Sequence, residues 1–448
     1  MLTLVIGVAT AFSVHMVGSL YISEIIFLPL LPILILVHPR RIFRPGLRIV
    51  LALLTLWLFG QVMTDLYRST EMADWLREYA NIVFFAINLL SLAVLLGKSE
   101  RRKAIFIGGL AFGSLLAVRY QPSIWLEGDP WKFGYSFGTN IAVALLSAYF
   151  YKRRQYLVVG ALLGGVMVIN LVENYRSPVL TLLVTIALIL PVIPEQVGRF
   201  RLLPRAGSVS RVVVLAGIAA SAGLAASFLV HFATSEGYIS ADAQAKNQSE
   251  SQSSIGLLLA GRPEILVSAR AVWDSPILGH GSAGRDYKYI EMLNDLEAKT
   301  GTPIDLEDLE EEKGGLIPTH SHLMNAWVKA GILGGVFWLY ILWLAFGALI
   351  QVAIRRPPLA PIYTFMLVTL LWDIPFSPFG GGRRALVALM IMVSLDLLDP
   401  VMAHRKELRQ QHKTKWRRQI PLRGRPDFLP HPDVGHSPRG IPPNSMTG

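Results

Sequence analysis

The chain has 448 residues, of which 52% are hydrophobic and only 16% charged, with a mean hydropathy of +0.46. A single soluble core cannot hide that much apolar surface, so the composition excludes a soluble globular enzyme and predicts an integral membrane protein. The net charge of +11 is no nucleic-acid signature, because the surplus sits in short basic connections and a basic tail, and the lack of cysteine excludes disulfides and thiolate metal sites.

The first apolar run, Leu2 to Val14, lacks the basic start and small-residue cleavage site of a signal peptide, and it is expected to remain as a span. Runs of about 20 apolar residues, the length that crosses a bilayer core, predict twelve spans at 2–18, 20–37, 47–66, 80–97, 104–119, 135–151, 156–172, 177–195, 211–233, 322–351, 361–377 and 385–401. The fold expected is therefore an all-α polytopic membrane protein. The clusters Arg40-Arg41-Arg44-Arg48, Lys98/Arg101-Arg102-Lys103, Lys152-Arg153-Arg154, Arg199/Arg201/Arg205 and Arg355-Arg356 fall on alternate connections, which puts them and both termini in the cytoplasm.

That orientation leaves Tyr120 to Gly134 and Thr234 to Thr319 outside. The second is roughly 85 residues long, too long for a turn, and is expected to be a small folded cap. Within it Asn247 to Ser254 reads as flexible, Gly261 to Trp273 has a helical period with Leu266, Ala269 and Trp273 on one face, and Asp305 to Glu312 is a solvated acidic patch. The division is 1–233 for spans one to nine, 234–321 for a mainly helical periplasmic cap, 322–402 for spans ten to twelve, and 403–448 for a basic, Pro-rich tail without a fold of its own that touches anionic head groups.

Arginines on the outer side run against the charge bias. Arg176 sits in Glu173-Asn174-Tyr175-Arg176-Ser177-Pro178 at the mouth between two spans, and Arg262 and Arg270 lie in the cap. A guanidinium fork matches a phosphate bidentately, so several converging on one point hold a diphosphate without a metal; the plainer reading pairs each with an acid such as Glu173 or Glu264. His320 and His322 stand where the long loop re-enters the membrane. Two His at this spacing have three readings: metal ligands, interfacial residues capping the next helix, or a general base for an attacking sugar hydroxyl. With no cysteine and no third His near, the metal reading is the weakest. His280, between Gly279 and Gly281, reads as a tight turn.

These residues carry a family resemblance. Gly138-Thr139-Asn140 at the sixth span, Tyr175-Arg176-Ser177 after the seventh, Gly261-Arg262-Pro263-Glu264 followed by Trp273, Pro276, Gly279 and Gly281, and His320-Ser321 followed by Trp327, Gly331 and Gly334 come in the order of the motifs of the O-antigen ligase and polysaccharide polymerase superfamily. The chain resembles these bacterial inner-membrane glycosyltransferases over most of its length. Ser321 stands where the family has Asn, and Lys329 where an acidic residue is common.

The resemblance implies metal-independent, inverting transfer of a glycan from undecaprenyl diphosphate, on the periplasmic face, to a hydroxyl of a lipid A core or of a lipid-linked glycan. It implies no cofactor, no metal and no nucleic acid. It assigns Arg176, Arg262 and Arg270 to the diphosphate and His320 to the acceptor hydroxyl, with His322 as a supporting or substitute base. The single large outer loop favours a ligase; a polymerase of the same superfamily and a transporter or flippase are the alternatives.

Overall fold

A computed structural model describes residues 1–190, 217, 262–299 and 314–399, apart from 17, 43, 122 and 123. The expected ninth span, the flexible stretch at Asn247 to Ser254, the acidic patch at Asp305 to Glu312 and the tail after 402 lie outside the described residues, Gly217 excepted.

The described residues are mostly helical. In chain order the main helices are α1 (Leu2–Ala9), α2 (Ile22–Val37), α3 (Pro45–Arg68), α4 (Met72–Leu96), α5 (Glu100–Tyr120), α6 (Ser136–Lys152), α7 (Tyr156–Val172), α8 (Arg176–Ile189), α9 (Glu264–Asp274), α10 (Tyr287–Lys299), α11 (His322–Arg355), α12 (Ala360–Phe376) and α13 (384–399). Four of them, α3, α4, α5 and α11, are long and apolar enough to cross a membrane, and α2, α7, α8 and α12 are apolar but shorter. Buried Trp57, Phe85, Phe337 and Trp338 meet in one aromatic cluster where α3, α4 and α11 pack together.

The first expected span is corrected. Helix α1 ends after eight residues, and an antiparallel hairpin follows, β1 (Ser13–Met16) with β2 (Gly18–Tyr21), so the molecule is not purely α. The cause is a competing set of contacts. Gln121, at the end of α5, accepts from the Ser13 N–H at 3.1 Å and donates to the Ser13 carbonyl at 2.6 Å, satisfying backbone groups that a continuing helix would have paired internally. Helix α1 itself lies so close to α5 that a Cβ on Gly7 would stand 2.5 Å from the Phe106 carbonyl oxygen.

The two ends of the bundle differ in their charges. At one end the basic connections meet the start of α5 and the end of α13. Lys103, almost fully buried, pairs with Asp396 at 2.8 Å and Glu100 at 2.9 Å; Lys98 pairs with Asp399 at 3.0 Å; and Arg44 is ion-paired with Asp396. The Tyr363 hydroxyl donates to Glu100. At the opposite end buried Arg384 grips buried Glu24 with two nitrogens, at 2.7 and 2.6 Å, and donates to Asn81 and to the Ser19 carbonyl. Glu24 also accepts from the Tyr21 N–H and from Asn88, so this cluster locks the hairpin, α2, α4 and α13 together.

Helix α11 is broken at Gly331, whose φ of +62° only glycine adopts without strain. The loop after α9 docks into the break. Ile332 N–H donates to the Ile277 carbonyl, His280 N–H to that of Val328 and Gly281 N–H to that of Lys329. A Cβ on Gly331 would lie 1.8 Å from the Ile277 oxygen, so no larger residue fits. Trp327 completes the joint through its indole N–H to the Pro276 carbonyl at 2.9 Å.

Helix α9 has the expected place and a different face. Val267 and Ala271, one turn apart, are its fully buried apolar residues, packing on Ile290, Leu293 and Val328. Ala269 is exposed and Trp273 is 79% exposed; of the three expected inward residues only Leu266 leans on that core.

Candidate functional site

A cavity of about 620 Å³ opens at the end of the bundle away from the basic connections. Its upper wall carries Lys132, Tyr175, Arg262, His320, Asp373 and Arg383. Its deeper wall is apolar, formed by Leu110, Ile141, Phe365, Met366, Leu386 and Met390 from four helices. Among the described residues, the charged groups on the wall are the cations Lys132, Arg262 and Arg383 against the carboxylate Asp373, a local surplus of positive charge.

Each side chain is held by a different element. Arg262 precedes α9, half-buried, with its guanidinium donating to the Phe376 carbonyl and lying 6.0 Å from the Trp372 ring centre. Among the described residues it makes no ion pair. Burial pulls its pKa below the usual arginine range, while the nearby Glu264, Asp373 and Tyr175 oppose that pull. Tyr175 ends the turn before α8, and burial pushes its phenol up, the Arg383 charge opposing. Arg383 pairs with Asp373 at 2.9 Å across the short α12–α13 connection. Lys132 sits in a single wide turn, Trp131–Tyr135, with bonds of the i to i+5 type, and its ammonium is 4.9 Å from the Phe133 ring centre. Trp131 is tied to Asn170 at 3.1 Å, and Asn170 donates to Asn140 at 2.8 Å, which joins the buried asparagine of the Gly138-Thr139-Asn140 signature to this wall.

Of the five residues singled out in the sequence, two reach the cavity, Arg262 and His320. Arg176 does not line it. It opens α8 at the rim, half-buried, with Nε donating to Asn174 at 3.3 Å, while its neighbours Tyr175 and Ser177 do face the cavity. Arg270 lies away from it on the exposed side of α9, paired with Asp274 at 3.0 Å. His322 is fully buried as the first residue of α11, its ring 4.8 Å from Trp338 and 5.3 Å from Phe379. Its Nδ1–H faces the Ser377 carbonyl at 2.5 Å, which fixes the neutral tautomer and leaves Nε2 enclosed. The expected role of substitute base needs solvent access that this position does not give.

The helix cap beside these histidines comes from Ser321, whose Oγ accepts from the Met324 N–H at 3.1 Å and donates to the Ile374 carbonyl at 2.8 Å. Lys329 pairs with Glu78 of α4 at 2.8 Å, so a carboxylate stands opposite this position from another helix. Arg383 and Lys132 were missed in the sequence, and Asp373 and Tyr175 were given no role in a site. One signal for Arg383 was available: it and Arg384 lie on an expected outer connection, where the charge bias predicts no arginine.

Chemically the wall offers anion-binding forks, a titratable imidazole and an apolar floor in one space. Compared with known proteins, the chain matches no family model and no curated protein.

Proposed function

We propose that the protein is a membrane glycosyltransferase of the O-antigen ligase type, moving a glycan from undecaprenyl diphosphate to the hydroxyl of an acceptor sugar. The observation that carries this reading is the cavity in which Arg262 and Arg383 stand over an apolar floor with His320 on the same wall. An amphipathic donor has these two halves: a diphosphate that wants guanidinium forks and a polyprenyl chain that wants an apolar surface. If the basic connections face the cytoplasm, the cavity faces the periplasm of a bacterial inner membrane, and the connection 234–321 is its cap.

In this reading His320 takes the proton as the acceptor oxygen attacks the anomeric carbon. The carbon–oxygen bond to phosphate breaks, the diphosphate leaves with the electron pair, and the configuration inverts. Arg262 and Arg383 meet the charge that grows on the leaving group, which is where positioned donors do most for the rate. Asp373 holds Arg383 in place through their ion pair. Arg176, between the cavity-lining residues Tyr175 and Ser177, serves donor entry.

The reading is tested in cells and in purified protein. A strain lacking the protein is expected to accumulate full-length polymer still on its lipid carrier; single repeat units would make the protein a polymerase of the same superfamily, and units trapped in the cytoplasm would make it a flippase. Purified protein is expected to keep transferring glycan in excess EDTA, since side chains bear the charge. Activity that vanished and returned with Mg²⁺, Mn²⁺ or Zn²⁺ would overturn the arginine assignment.

A further inference from the structure

A second cavity, of about 360 Å³, lies on the other side of the strand of chain that carries His320. Residues Leu316 to Thr319 line it, and His320, the next residue, lines the first cavity, so a few residues of extended chain separate the two spaces. The wall of the second cavity is polar. Asp74, Arg77 and Glu78 come from the first turns of α4, Thr319 from the dividing segment, and Asn325 and Lys329 from α11.

The two cavities differ in chemistry. The first has a surplus of cations and an apolar floor. In the second the charges are mixed: Glu78 is paired with Lys329 at 2.8 Å and Asp74 with Arg285 at 3.1 Å, while Arg77 is exposed and makes no ion pair among the described residues. Planar carboxylate, amide and guanidinium groups on one concave wall supply both acceptors and donors, the set that neighbouring hydroxyls on a sugar ring require. With Asp74 and Glu78 set against Arg77 and Lys329, this wall has no surplus of cations among the described residues to draw a diphosphate. The far wall is rigid. Ser282 N–H and Oγ both bond to Asp65 at 2.6 Å, and Gln61 donates to Ser282 at 3.0 Å, which anchors the loop 281–284 to α3.

We propose that this second cavity is the acceptor subsite, holding an uncharged stretch of glycan so that a hydroxyl reaches past Thr319 toward His320. The inference rests on the glycosyltransferase reading above and adds the location and the chemical class of the second substrate. Donor and acceptor would then occupy neighbouring cavities that meet at consecutive residues, Thr319 and His320.

The test is steady-state transfer by the purified full chain. Donor and acceptor are the glycolipids extracted from a strain lacking the protein, and each is varied in turn. Arg77→Ala removes an exposed fork without unpairing a buried charge, and Ala283→Trp fills the cavity from the loop. Both are expected to raise the acceptor KM by about tenfold, the loss of one charge-assisted hydrogen bond or of one contact surface, with the donor KM within about twofold of wild type. If wild type transfers glycan and both variants keep the wild-type acceptor KM, the acceptor subsite is wrong while the enzyme reading stands. If wild type transfers nothing under conditions in which it binds the donor, the enzyme reading fails and takes the subsite with it. A rise in the donor KM alone would make the cavity part of the donor site.

Discussion

The two ends of the helix bundle are built from the same residue types and do different things with them. At the basic end Lys103, Arg44 and Lys98 are matched by Asp396, Asp399 and Glu100. At the other end Lys132, Arg262 and Arg383 line an open space with Asp373 as the one carboxylate among the described residues on its wall. On the cavity wall Arg383 is paired with Asp373, while Arg262 makes no ion pair among the described residues; in the proposed reading a negatively charged ligand balances the surplus of cations. The difference is one of balance: the basic end closes its cations with carboxylates, and the cavity wall carries more cations than carboxylates among the described residues.

The sharpest way to break this comparison is to remove one residue from each end. His320→Ala is expected to lower turnover by roughly 10²–10⁴-fold, the worth of a general base, with thermal unfolding unchanged; equal turnover would remove the base from the mechanism. Lys103→Ala should do the reverse. It leaves Asp396 buried beside Arg44 with one partner gone, so unfolding in detergent should become easier by about 3–5 kcal/mol while turnover per folded molecule stays at the wild-type value. A silent Lys103→Ala would mean that the basic end is held by apolar packing alone.

A finer probe separates charge from shape at the cavity. Arg262→Lys keeps the positive charge and loses the planar fork that donates to the Phe376 carbonyl and reaches the cavity, and transfer should fall by about tenfold with normal expression. Full activity in Arg262→Lys would reduce Arg262 to a point charge.

The smallest effect is expected in the loop docked on Gly331. His280 is packed on Tyr289 and its Nε2–H donates to the Ala271 carbonyl at 2.9 Å, and burial holds its pKa below 6.5. The unfolded segment therefore takes up a proton that the folded one refuses. Its contribution is whole above pH 6.5 and is lost as the pH falls below that value toward the depressed folded pKa. Protection against hydrogen exchange across 264–299, relative to the intrinsic exchange rate at each pH, should fall on acidification through this window, and His280→Gln should flatten the change. Constant protection in wild type would contradict a depressed His280 pKa.

Much of the helical frame was legible from apolar runs. Expected spans such as 20–37, 156–172 and 361–377 fall on α2, α7 and α12 to within a residue or two, because each segment is set off by Pro, Gly or charge. The first span was misread since hydropathy does not register that Gln121, more than a hundred residues away, competes for the Ser13 backbone. The face of α9 was misread for a related reason. Periodicity puts Leu266, Ala269 and Trp273 on one apolar face, whereas burial is decided by what α9 meets, and it meets Val328 and the α10 core with Val267 and Ala271.

Two of the five residues singled out in the sequence, Arg262 and His320, line the cavity. Both stood out by residue type and position. The glycine and tryptophan motifs around them proved to be joints: Gly279, Gly281, Gly331 and Trp327 let the loop after α9 seat in the broken helix, a role that spacing alone does not tell from catalysis. Asp373, Arg383 and Lys132 reach the cavity from three separate segments, and only the packing of α6, α8, α12 and α13 brings them together.

The central claim is that the cavity opposite the basic end holds a lipid-linked diphosphate. The most direct test is binding of undecaprenyl diphosphate to purified wild type and to Arg262→Ala and Arg383→Ala, read by native mass spectrometry in detergent. The claim predicts binding by wild type that weakens by about 10- to 100-fold in either variant, the worth of a hydrogen bond to a charged group, with Arg270→Ala as the exposed control that binds as wild type does. Equal binding by wild type and both cavity variants would contradict it, and the surplus of cations on the cavity wall would then have to be explained without a ligand.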